Sequence, residues 1–81
     1  MLKTLTSAQS RAGRALVKWS VRDLSEKCGV HRNTISAFET DQTEPNGSTL
    51  TVLRQALETA GVEFIPENGG GAGVRLRKTS P

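Results

Sequence analysis

The stretch Val21-Arg22-Asp23-Leu24-Ser25-Glu26-Lys27-Cys28-Gly29-Val30-His31-Arg32-Asn33-Thr34-Ile35-Ser36-Ala37-Phe38-Glu39 decides the fold. Ser20 stands immediately before it and Asp23 lies three residues further on. That is the spacing of a capping box, in which two side chains satisfy backbone N–H groups at a helix start. Trp19 and Leu24 flank the cap at the spacing of a hydrophobic staple. Val21, Leu24 and Cys28 form one apolar face, and Gly29 offers the left-handed conformation that closes a helix, so the spacing predicts a short helix over 21–28. Val30 and Ile35 repeat the staple around a cap at His31, and Phe38 continues the face of Ile35. A further helix therefore begins after a turn of only about three residues.

Working outward, Thr6 and Gln9 form another capping box, and Ala8, Ala12, Ala15, Leu16 and Trp19 fall at helical spacing. A helix is expected from about residue 6 to 18, with those residues as its core face. Downstream, Gln42-Thr43-Glu44-Pro45-Asn46-Gly47 is a turn-rich break, after which Leu50, Leu53, Leu57 and Ala60 mark a helix closed by Gly61. Beyond it, Val62-Glu63-Phe64-Ile65 and Val74-Arg75-Leu76-Arg77 lack helical spacing and read as two short strands joined by a glycine-rich loop. A lone hairpin is marginal in water, so this one is expected to pack on the helices or to pair with a second chain. The resulting division is a helical domain over residues 1–61 and a C-terminal β-hairpin with a basic tail over 62–81, a candidate dimerisation element.

Two short helices joined by a tight turn make a helix-turn-helix, which holds its second helix where it can enter a major groove. Ile35 and Phe38 point inward, while Asn33, Ser36, Ala37 and Thr40 point away, with Arg32 on the flank. Arg bonds guanine bidentately and Asn does the same with adenine, and both residues sit in the first turn of this helix. His31 and Ser36 add donors for phosphate or base, and Arg22 suits a phosphate.

On these residues the stretch resembles the Xre/Cro/phage-repressor helix-turn-helix family. Ser25 four residues before the turn, the turn Gly29, Ile35 and the closing Glu39 are matched together, and the likeness covers about residues 6–60. It implies a mainly α, four- to five-helix lambda-repressor-like bundle that acts as a homodimeric regulator, commonly a repressor, on an operator in double-stranded DNA. It further implies that Arg14 pairs with Glu39, that Arg32, Asn33 and Ala37 touch bases, and that phosphates are held by Ser20 and by Thr40, Gln42 and Thr43 after the third helix. Two departures favour a rival. Val21 stands where the family often has Gln, and Asp41 and Glu44 follow the closing Glu39, where carboxylates would repel phosphates. The rival is a protein-interaction module of the same shape that binds and inhibits a transcription activator, an antiactivator that does not bind DNA.

Charge carries the same tension. The 81 residues, 8.7 kDa, suffice for one domain, and only 35% are apolar. The net charge of +3 hides a basic half and an acidic half. Residues 1–38 hold seven basic side chains against Asp23 and Glu26, a balance of +5, whereas residues 39–67 set six carboxylates against Arg54, a balance of −5. Arg75, Arg77 and Lys78 then restore +3, either to reach DNA backbone or to guard a sheet edge.

Other classes fall away. No apolar run is long enough for a membrane span or a signal-peptide core, and a cytoplasmic protein is expected. One Cys and one His cannot assemble a zinc site, so neither a metal nor a cofactor is expected. Gly69-Gly70-Gly71-Ala72-Gly73 lacks the Lys-Ser/Thr pair and following helix of a phosphate loop, and no arrangement of Ser, His and Asp points to an enzyme. Cys28 reads as a small core residue and Trp19 as a staple.

Overall fold

A computed structural model describes residues 4–78, so that Lys3 of the basic half and the last three residues of the tail lie outside it. Four helices, α1 (Ser7–Val17), α2 (Val21–Cys28), α3 (Arg32–Glu39) and α4 (Gly47–Thr59), precede a hairpin of β1 (Val62–Ile65) and β2 (Gly73–Leu76). The expected mainly helical bundle with a C-terminal hairpin is therefore the fold, with four helices among the described residues.

The local signals act where they stand in the sequence. Thr6 and Gln9 close the box at α1, and Ser20 and Asp23 close that at α2, each with both bonds made at 2.9–3.0 Å. Gly29 ends α2 at φ 79°, a conformation that Gly adopts without a Cβ penalty. His31 caps α3 through Nδ1, which accepts from the Asn33 N–H at 3.0 Å. Asn46, part of the turn-rich break in sequence, is the cap of α4, its carboxamide oxygen accepting from the Thr49 N–H.

The core joins Leu24, Ile35, Phe38, Leu50, Leu53 and Leu57 to Leu5 and to Val62 and Phe64 of β1. The hairpin thus packs on the bundle. Its strands are antiparallel, with Val62 opposite Leu76 and Phe64 opposite Val74, and β2 begins at Gly73, one residue before the expected start. Gln9 donates to the Gly73 carbonyl at 3.1 Å, and Arg54 lies over the Phe64 ring at 4.9 Å while donating to the Thr4 carbonyl.

The expected core face of α1 is corrected. Ala8, Ala12 and Ala15 are exposed, and the buried residues are Gln9, Ser10 and Gly13, with Leu16 and Val17 half-buried. Alanine buries little area, so its periodicity exerts a weak pull. Gly13 lets α1 approach Leu57 and Val62 so closely that a Cβ there would stand 3.3 Å from Leu57 Cδ1. Gln9 and Ser10 take the flanking positions because each has a partner to donate to.

Candidate nucleic-acid interface

The interface is built around a buried ion pair. Glu39, 3% exposed at the end of α3, receives the Arg14 guanidinium through Nε at 2.9 and 3.0 Å and through a terminal nitrogen at 2.6 Å. The Ser10 hydroxyl donates to the same carboxylate at 2.6 Å, and Arg11 donates to the Glu39 backbone carbonyl. Hydrogen bonding to Glu39 raises the Arg14 pKa above its ordinary value, although partial burial pulls the other way. The remaining Arg14 nitrogen donates to the Trp19 carbonyl at 3.0 Å. One side chain on α1 therefore holds both Trp19, the residue before the α2 cap, and Glu39, the residue before Thr40.

The turn is held as firmly. Ser25 donates to the Val30 carbonyl at 2.6 Å, and its own carbonyl accepts from the Gly29 N–H at 2.9 Å. A larger side chain at 25 would displace that bond and open the angle between α2 and α3.

On this frame the sequence-derived contact residues fall into two groups. Arg32, Asn33 and Ser36 are exposed along α3, opposite the buried Ile35, Phe38 and Glu39. Their side chains make no hydrogen bond or ion pair to other described residues. His31 is exposed beside them with one ring nitrogen committed to the cap. Ala37 is half-buried, its carbonyl taken by the Gln42 and Thr43 N–H groups at 2.8 and 3.3 Å as the chain folds back after α3.

The second group surrounds the Arg14 clamp. Ser20 and Arg22 are exposed at the start of α2, the Ser20 hydroxyl accepting from the Asp23 N–H. Thr40, Gln42 and Thr43 are exposed after α3, although the Thr40 hydroxyl donates back to the Ser36 carbonyl at 2.8 Å. Through Arg14, Ser20 and Thr40 are brought to one side of the molecule. His31 and Arg32 stand at the other end of α3, about 12 Å away along an eight-residue helix.

Most carboxylates of the acidic half are engaged within the fold. Glu39 is paired with Arg14, Glu58 with Arg54 at 3.2 Å and Glu63 with Arg75 at 2.6 Å, while Asp41 accepts from the Ser7 hydroxyl at 2.6 Å. The bond from Arg75 holds the Glu63 carboxyl below its usual range. Three of the six acidic charges thus sit against arginines, two of which, Arg14 and Arg75, come from outside the acidic half. Nothing in the sequence singles out Ser10 or Arg11 for Glu39, nor Ser7 for Asp41, because their partners lie 28 to 34 residues away. The described residues contain no cluster of His, Cys, Asp and Glu that could hold a metal, and no helix long and apolar enough to cross a membrane.

No curated protein matches the chain. A family model does, that of the helix-turn-helix, over residues 11–64, from the arginine that binds the Glu39 carbonyl to the second core residue of β1. The match spans the clamp, the turn and the exposed face of α3 in one segment, and the chain belongs to the Xre/Cro/phage-repressor-like helix-turn-helix family of DNA-binding regulators.

Proposed function

We propose that the protein is a sequence-specific transcriptional regulator that lays α3 in the major groove of an operator. The observation that carries this reading is the contrast on α3. Its inner face is locked by Ile35, Phe38 and the Glu39 clamp, while Arg32, Asn33 and Ser36 on its outer face are exposed and uncommitted. A rigid helix with free donors loses little side-chain or backbone order on meeting base edges. Arg32 suits guanine and Asn33 adenine, Ser36 supplies a bond to either, and Ala37 offers a methyl contact to thymine. Ser20, Arg22, His31, Thr40, Gln42 and Thr43 serve the phosphates on either side. One such helix covers few base pairs, so two copies on half-sites about 34 Å apart give the useful specificity, and occupancy of a promoter makes repression the direct outcome.

The test is a titration of the purified protein against DNA from its own promoter region at two salt concentrations. Tight binding that falls steeply with salt is expected, because phosphate contacts release counterions. Absence of binding at low salt would sink the proposal and transfer it to the antiactivator reading, in which a transcription activator is the partner.

A further inference from the structure

Ser7, Ser10, Arg11 and Arg14 share one face of α1 at helical spacing, and all four bond to residues 39–41 at the end of α3. Three of them meet a carboxylate, Ser10 and Arg14 that of Glu39 and Ser7 that of Asp41. Arg11 meets a carbonyl instead, that of the peptide bond joining Glu39 to Thr40. It is exposed and has no ion pair among the described residues, because both carboxylates of this corner are taken by other side chains. Its best donors are unused as well. Nη1 makes the bond to Glu39, whereas Nε and Nη2, the adjacent pair that grips two phosphate oxygens side by side, have no acceptor among the described residues.

The turn after α3 lacks donors and cations of its own. The N–H groups of Thr40, Asp41, Gln42 and Thr43 all donate to carbonyls of α3, at 2.8–3.3 Å, and the Thr40 hydroxyl does the same. The C-terminal end of a helix is electronegative, and Asp41 adds an exposed carboxylate there, in a left-handed turn at φ 62°. A phosphate approaching Thr40, Gln42 and Thr43 is therefore repelled unless a cation offsets these groups. Arg14 spends its charge on the buried Glu39, and Arg11 supplies the charge that remains.

We infer that Arg11 binds the DNA backbone phosphate beside the turn after α3, with its Nε–Nη2 edge on the phosphate and Nη1 on the Glu39 carbonyl. The exposed Lys18, Arg22 and Arg32 of the same basic half make no side-chain bond to other described residues, so each must be ordered when it meets a ligand. Arg11 is held in place beforehand, which lowers that cost.

This inference rests on the reading of the protein as a DNA-binding regulator, and its test compares a promoter duplex with a duplex of unrelated sequence, each titrated over a range of salt. Arg11→Gln keeps an amide donor for the Glu39 carbonyl and removes the charge. It should weaken binding to both duplexes by the same factor and make the slope of log affinity against log salt shallower by about one. Arg11→Lys keeps the charge without the fork, and should show the wild-type slope with an affinity between the two. A residue that merely braced α3 would lower affinity without moving the slope, so equal slopes for Arg11→Gln and Arg11→Lys would overturn the assignment. A loss confined to the promoter duplex, the mark of a base contact, would do the same. Circular dichroism establishes that both variants fold. In the wild-type protein, the Arg11 Nε–H resonance should shift when either duplex is added, and a resonance that stays in place would also refute the contact. Equal affinity of wild type for the two duplexes, with the Arg11 effects intact, would sink the operator reading and uphold Arg11, whereas no binding to either would remove both.

Discussion

Arg14 binds the carboxylate of Glu39 with two of its nitrogens and the carbonyl of Trp19 with the third, so a single guanidinium sets the end of α3 against the start of α2. The two segments that flank α3 are spaced by this one side chain. Glu39 is almost wholly buried, and a carboxylate in such a place is tolerated only because Arg14 and Ser10 satisfy it.

Removal of either partner should therefore be costly. Arg14→Ala leaves Glu39 buried without its cation, and a loss of about 3 kcal/mol is expected in urea denaturation. Glu39→Gln keeps the volume and loses the ion pair, and it should weaken operator binding more than its stability loss accounts for, because Ser20 and Thr40 lose their common anchor. Equal stability of Arg14→Ala and wild type would refute the clamp.

Arg32 and Arg22 are both exposed and unpaired, yet they should behave differently on DNA. Arg32→Ala is expected to cost about 1–3 kcal/mol and to relax the preference at one base position. Arg22→Ala should weaken all sequences alike and make the salt slope shallower by about one. Binding to a panel of single-base operator variants separates the two patterns, and unchanged affinity of Arg32→Ala would remove α3 from the reading role.

The capping box at α2 should make part of the stability pH-dependent. The Ser20 backbone N–H donates to the Asp23 carboxylate, and this bond, aided by the Ser20 side chain, holds the carboxyl below its ordinary value. A group whose pKa is depressed by folding contributes stability that is present above the unfolded value and lost as pH falls through the folded one. The thermal midpoint of wild type should exceed that of Asp23→Ala near neutral pH, and the margin should shrink from about pH 4 downward. A margin independent of pH would contradict the carboxylate's role, and Ser20→Ala should cost about 1 kcal/mol near neutral pH.

The hairpin should prove inseparable from the helices. Phe64 lies in the shared core beneath the Arg54 guanidinium, and Val62 is fully buried against Gly13. Phe64→Ala is expected to cost about 3–5 kcal/mol, a large part of the stability of a domain this size. Deletion of residues 62–81 should abolish cooperative unfolding, and a truncated chain that melts like the whole one would show the helices to be self-sufficient.

How far the chain could be read in advance depends on the range of each interaction. Caps, staples and the left-handed Gly29 act between residues no more than five apart, and so the starts of α1, α2 and α3, the tight turn and the outward face of α3 were all legible from Thr6 to Glu39. The Arg14–Glu39 pair came from family likeness, since a separation of 25 residues leaves no local mark. By itself the sequence determined the helix-turn-helix, because backbone capping and apolar spacing suffice to make two short helices meet at a glycine. Only the tertiary structure decided which face of α1 is buried, that the hairpin completes the core, and that three of the six carboxylates of the acidic half sit against arginines of the same chain. Those outcomes turn on what stands opposite each residue, and what stands opposite is chosen by packing across the whole molecule.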